Sequence, residues 1–174
     1  MRSPTPLSLF GTAVIAIMVA VLVAQSATGS RAAAPTCTAS QLKGKLLDSQ
    51  GAAGTILFSV TLENSGDACS LQGYPTLRIM GAHRLLPTRV VHGGLAVLNS
   101  TPKRVQLKHL GRASVLISYS DVPVGSESSC PVGKTLRLRP PGASDRLTVR
   151  VSTTACGRGT LHESPVLAGV RHAA

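Results

Sequence analysis

The sequence predicts an all-β fold, an immunoglobulin-like antiparallel β-sandwich, on three observations. Past residue 40 the apolar residues recur in short alternating runs, each run is bounded by Gly, Pro, Asn or Asp, and four cysteines lie symmetrically about two of the turn segments. No stretch after the N-terminal segment sustains helical periodicity. The chain has 174 residues, 43% hydrophobic, 14% charged and 2% aromatic, which excludes a long coiled coil, a disordered acidic tail and a multi-pass membrane protein. About 140 residues follow the leader, enough for one aliphatic core and not for two.

Residues 1–34 read as a signal peptide and short linker, forming an apolar signal helix ahead of the domain. Arg2 precedes an apolar run from Leu7 to Ala24, and small residues follow from Ser26 to Ala34. Cleavage is expected after Gly29 or near Ala34; an uncleaved anchor is the alternative, because the run is long enough to span a bilayer. Residues 35–168 form the predicted β-sandwich, and 169–174 a C-terminal tail. Export places the four cysteines in an oxidising compartment. No Cys-x-x-Cys pair is present, so disulfides are expected rather than a redox or zinc site.

The turns discriminate among the three pairings. The midpoint of Cys37 and Cys69 falls at residue 53, inside Gly51-Ala52-Ala53-Gly54, and that of Cys130 and Cys156 falls at residue 143, inside Pro140-Pro141-Gly142-Ala143-Ser144. Hairpins turning there would join Cys37 to Cys69 and Cys130 to Cys156, each bond being worth roughly 3 to 4 kcal/mol in the chain-entropy account. In the first hairpin Ile56, Phe58, Val60 and Leu62 share a face, a half-buried strand. A register about residue 53 sets Leu46 against Val60 and Gly44 against Leu62 while Lys43 and Lys45 face water. Shorter runs follow at Leu77 to Met80, at Leu85 to Val91 with Pro87 marking an edge, at Val105 and Leu107, and at Val115, Ile117 and Tyr119. The last are Leu136 and Leu138, then Leu147, Val149 and Val151, then a short run near Val166.

The order of Cys37-Thr38-Ala39-Ser40-Gln41-Leu42, Asn64-Ser65-Gly66, Cys69-Ser70-Leu71-Gln72-Gly73-Tyr74-Pro75, Cys130-Pro131, Leu136-Arg137-Leu138-Arg139-Pro140-Pro141-Gly142 and Cys156 resembles the actinobacterial domain of unknown function 4232. The resemblance runs from about Cys37 to Val166. It implies a β-rich domain exported to the cell envelope and no chemistry. No Cys follows the apolar run in the position that lipoprotein members use.

Catalytic motifs fail on context. Ser128-Ser129-Cys130-Pro131-Val132-Gly133-Lys134-Thr135 approaches a phosphate loop, but Ser128 replaces the first glycine and a strand follows where a helix is needed. His162-Glu163 opens a zinc-protease pattern that Ser164-Pro165-Val166 does not complete. No Gly-x-Ser-x-Gly elbow exists, His83, His92, His109, His162 and His172 fall in expected loops, and the seven acids form no close pair. Asp67 and Asp145 are expected to serve turns, and Asn99-Ser100-Thr101 reads as a surface turn. No cofactor or metal is expected, and a non-enzymatic domain is favoured over a hydrolase or other enzyme whose site carries no motif.

Charge is the remaining anomaly. Lys and Arg number 18 against 7 acids; without Arg2 and Arg31 of the leader, 16 remain. Such an excess attracts polyanions. With Leu136 and Leu138 inward, Arg137 and Arg139 face out; with Leu147, Val149 and Val151 inward, Arg146 and Arg150 face out, giving a candidate anion-binding face. Matching the faces sets Arg137 against Arg150 or Arg139 against Arg146, and reconciling that register with the disulfide requires a one-residue bulge or slack near Pro131. A second cluster, Lys103, Arg104, Lys108, His109 and Arg112, is expected in a loop and edge strand. A solvated face is the plainer reading of both. The expected partners are an anionic envelope polymer or lipid headgroups, and not nucleic acid, since two Phe and two Tyr offer little base stacking.

Overall fold

Eleven strands organise the computed structural model, which describes residues 33–173. The leader therefore lies outside the described residues except at Ala33 and Ala34. In chain order the strands are β1 (Leu42–Ala52), β2 (Thr55–Asn64), β3 (Cys69–Leu71), β4 (Thr76–Met80), β5 (Arg89–His92) and β6 (Val105–Leu107). They continue with β7 (Arg112–Ser120), β8 (Gly133–Arg139), β9 (Leu147–Thr153), β10 (Thr160–Glu163) and β11 (Leu167–Ala168). One sheet runs β1-β2-β7-β10-β5 with β11 also paired to β7, a second runs β4-β8-β9, and β3 pairs with β6. Among the described residues no helix is long and apolar enough to cross a membrane.

The first hairpin turns at Ala53 and Gly54, whose φ of 48° and 76° suit the two-residue turn that matches strand twist. Leu46 faces Val60 and Gly44 faces Leu62, the register read from the sequence. Between Leu46 and Asp48 the register shifts by one residue, leaving Leu47 as a bulge and setting Asp48 against Ser59. The second hairpin also shifts by one residue, as its parity required, but between Gly133 and Thr135 and not at Pro131 where the sequence reading put the slack. The structure joins Cys37 to Cys69 and Cys130 to Cys156, the pairing expected from the turns.

One hydrophobic core takes Phe58, Val60 and Leu62 from β2, Val115 and Ile117 from β7, and Leu77, Ile79, Leu136, Leu138 and Val149 from the three-stranded sheet. Each strand contributes alternate residues, so period-two patterning alone sorts most of the core. Two expectations need correction. β2, expected to be half-buried, is buried on both faces: Ser59 and Thr61, on the face away from the core, are buried too, and the C-terminal tail meets Ser59 there. Ser59 Oγ donates to the Arg171 carbonyl, Ser114 Oγ to the Gly169 carbonyl at 2.9 Å, and the Ala173 N–H donates to Asp48 Oδ1 at 3.0 Å. The second correction is that β5 runs parallel to β10, since both strands start from the same end of the domain.

Asn64 ties three segments together. Its buried Nδ2 donates to the carbonyls of Asp67, Leu107 and Lys108 at 2.7, 3.1 and 3.2 Å, and its Oδ1 accepts the Gly66 N–H at 3.0 Å. Asn64→Asp keeps the shape and turns an acceptor toward three carbonyls. A loss of about 2 to 5 kcal/mol in urea unfolding is expected; an unchanged midpoint would contradict this role. Asp48→Ala should free the end of the tail, so that the Arg171 and Ala173 amides exchange with solvent at least about tenfold faster while β2 amides remain protected. Equal exchange in both proteins would show that Asp48 does not hold the tail.

Candidate functional site

The outer face of β4-β8-β9 is built by the alternation that builds the core. Because Leu77, Ile79, Leu136, Leu138, Leu147 and Val149 turn inward, their neighbours Arg78, Arg137, Arg139 and Arg150 turn outward, and Arg146 joins them one residue before β9. The expected opposition within the second hairpin is not what forms. Arg137 faces Thr148 and Arg150 faces Thr135, and the ladder ends at Leu138 and Leu147, one step short of pairing Arg139 with Arg146. The like-charge pair arises instead across the other edge of β8, where Arg78 of β4 stands directly opposite Arg137. Arg139 faces Thr76 and donates to its Oγ1 at 3.1 Å.

Among the described residues none of these five arginines lies within salt-bridge distance of a carboxylate; the close acid–base contacts present are Glu63 with Arg112, Asp48 with His172 and Glu163 with His92. Asp145 borders the face together with Arg137 and Arg146. Its oxygens accept the backbone N–H groups of Ala39 and Ser40 at 2.9 and 3.0 Å, which hold its carboxyl below the usual carboxylate range. Asp145 thus caps a segment more than a hundred residues away rather than serving its own turn. The face is a shallow, open, cationic surface of guanidinium groups, able to take phosphate or carboxylate in the bidentate mode.

The second basic cluster does not assemble. Arg112 starts the central strand β7 and is neutralised by Glu63 at 2.8 Å, Lys103 and Arg104 line a separate groove with Val166 and Leu167, and His109 lies 3.3 Å from the Gly66 carbonyl. Nor are all histidines in loops: His92 ends β5 and His162 lies within β10.

Glu163 is the functional-looking residue that motif reading passed over. It is fully buried at the end of β10, beside Ile117 and His92 in the ladders. His92 Nε2 lies 3.3 Å from Oε1 but off the line of a hydrogen bond, and neither carboxyl oxygen has a hydrogen-bond partner. Burial pushes the Glu163 carboxyl up to about 8. His92 in turn stacks on Tyr74, ring centroids 3.7 Å apart and planes within 2°. Only the break in alternation at Glu163, an acid where the strand pattern wants an apolar residue, marks this in the sequence. Among the described residues the closest grouping of metal-ligand types is Glu127 with Cys130 and Cys156, whose sulfurs are joined to each other. Lys134 and Thr135, the end of the phosphate-loop-like segment, lie in β8 and open no helix.

A small, disulfide-stapled β domain with an arginine-studded sheet is what the fold and site define. Residues 37–166 match the family described as Domain of unknown function (DUF4232), and the chain belongs to that family. No curated protein and no solved structure matches the chain.

The buried acid carries a sign. Its folded-state pKa of about 8 lies above the ordinary value of 4.5, so the folded chain binds the proton more tightly than the unfolded one. The contribution is fully present below about pH 4.5 and is lost progressively as pH rises to about 8, on the order of a few kcal/mol in total. Glu163→Gln should flatten that decline and leave the domain more stable than the parent at pH 8 and above. A decline of equal slope in both proteins, measured by denaturant unfolding across this range, would contradict a neutral buried Glu163.

Proposed function

We propose that this chain is an exported, non-enzymatic binding module of immunoglobulin-like sandwich architecture, which engages an anionic component of the cell envelope through the arginine face of β4-β8-β9. The observation that carries the reading is Arg78 standing opposite Arg137 on an open face where, among the described residues, neither forms a salt bridge and the bordering Asp145 is engaged by the Ala39 and Ser40 amides. Like charges directly opposed in a sheet destabilise it, by about 0.2 to 1 kcal/mol for such pairs, unless solvent or a bound anion screens them. A phosphate-rich polymer or headgroup layer would supply the missing charge. The two disulfides fit an oxidising, extracytoplasmic setting, where nucleic acid is a poor candidate for the polyanion.

Polyphosphate binding tests the reading. Affinity should fall steeply between about 50 mM and about 500 mM salt, as exposed charge pairs are screened, and Arg78→Glu with Arg137→Glu should weaken it at least about tenfold, since each lost charge-assisted bond is worth on the order of 1.5 to 3 kcal/mol. Lys103→Glu with Arg104→Glu makes the same change in net charge away from the face and should cost much less. Equal losses from both double variants would reduce the effect to overall charge and overturn the assignment to this face.

A further inference from the structure

A second surface displays apolar side chains instead of charge. Among the described residues five large apolar side chains are more than 45% exposed: Leu110 at 60%, Val124 at 52%, Val122 at 51%, Leu85 at 49% and Val132 at 48%. All but Leu110 lie at one end of the domain. The ladders show why: Thr55 pairs with Ser120, Met80 with Thr135, Gly133 with Thr153 and Thr160 with Arg89, so the loops carrying residues 81–88, 121–132 and 154–159 leave the sheets together.

The loop that carries Val122 and Val124 is held firmly, yet these side chains point out. The Glu127 carboxylate accepts N–H groups from Gly157, Arg158 and Val124 at 2.8, 2.7 and 3.2 Å. Gly157 and Arg158 have left-handed backbone (φ 63° and 60°), so their successive N–H groups form a nest for that carboxylate. The Asp121 N–H donates to the Gly54 carbonyl at 3.1 Å, and Cys130–Cys156 closes the base of the loop. Arg84, Arg89, Lys134 and Arg158 are exposed around the same end, against two acids there among the described residues, the exposed Asp121 and the partly exposed Glu127 beside Arg158.

We propose that this end is a lipid-docking tip: Val122, Val124, Val132 and Leu85 enter the headgroup boundary of a bilayer while the surrounding arginines and Lys134 meet anionic lipid phosphates. Apolar residues on a braced loop with a cationic collar match an anionic membrane surface in both its properties, a hydrocarbon interior below and negative charge above. A soluble polyanion would use the collar and leave the valines in water. The inference shares with the anion-binding reading only its charge; the apolar half is independent of it.

The chain contains no tryptophan, so one introduced indole reports alone. Val124→Trp, and separately Val132→Trp, are mixed with vesicles of phosphatidylcholine containing phosphatidylglycerol, with Thr148→Trp on the arginine sheet as the comparison. At the tip the emission should shift to the blue on vesicle addition and at Thr148 it should not. Val124→Ser with Val132→Ser, which leaves the charge as it is, should lower vesicle partition at least about tenfold, the loss expected for two half-buried aliphatic side chains, and leave polyphosphate affinity unchanged. Vesicle retention with no shift at either tip position would overturn the tip and leave the arginine face standing. So would polyphosphate binding without vesicle binding. Absence of both kinds of binding would overturn the two readings together.

Discussion

A two-residue turn pairs residues whose numbers differ by an odd amount, as Ala52 and Thr55 do, whereas Leu46 and Val60, which share the buried face, differ by an even amount. Both cannot hold in one uninterrupted ladder. The extra residue Leu47 resolves the conflict, and its consequence reaches further than the turn. Without the bulge Asp48 would stand against Phe58 on the core side; with it, Asp48 moves to the opposite face beside Ser59. There the two side chains hold the last residues of the chain, Asp48 through the Ala173 amide and Ser59 through the Arg171 carbonyl. One inserted residue thus converts a buried-charge problem into the clasp that covers the outer face of β2. The same arithmetic recurs in the second hairpin, where Cys130 and Cys156 differ by an even number and Leu136 and Val149 by an odd one, and there the extra residue lies on β9, where Val151 and Ser152 together oppose Lys134.

Such parity is local, which is why it was legible in the sequence. The Leu46 to Val60 register, both disulfides and the need for a one-residue shift in the second hairpin follow from alternation and turn residues within single hairpins, although the position of that shift, read at Pro131, does not. What escaped is what one hairpin cannot specify. Arg78 meets Arg137 only because β4 adds to the far edge of β8, a pairing between segments more than fifty residues apart. Asp145 reads as a turn residue until its carboxylate is seen against Ala39 and Ser40. Ser59 and Thr61 lie on the face away from the core, and nothing in their own strand announces that the C-terminal tail will meet Ser59 there. Glu163 is the instructive case. A charged residue in a four-residue strand reads as an end, yet β5 and β7 enclose it from both sides.

The arginine sheet and the apolar tip differ in the force each can exert, and therefore in what each can recognise. Guanidinium groups on an open sheet act through a field that salt attenuates within about 10 Å. On the proposed reading they would favour any dense array of phosphates and discriminate little among them. Valines on a loop respond to no field and gain only where water can be left behind. Used together they would separate a lipid surface from a dissolved polymer of equal charge, a distinction neither could make alone.

Holding those valines outward constrains how their loop can be stabilised. A loop ordinarily folds by turning its apolar side chains toward the core, but a side chain cannot be buried in the domain and displayed at its surface at once. Residues 121–132 must therefore be ordered by other means, and the structure supplies two that need no apolar burial. The disulfide removes conformational freedom from the unfolded chain. The Glu127 carboxylate, seated on the left-handed N–H groups of Gly157 and Arg158, is kept ionised below its ordinary range by those bonds. Gly159 completes the arrangement, since a side chain there would collide with the Pro87 carbonyl and its φ of 73° already excludes most residues. The covalent and polar bracing concentrated at this end is thus the physical counterpart of its exposed valines.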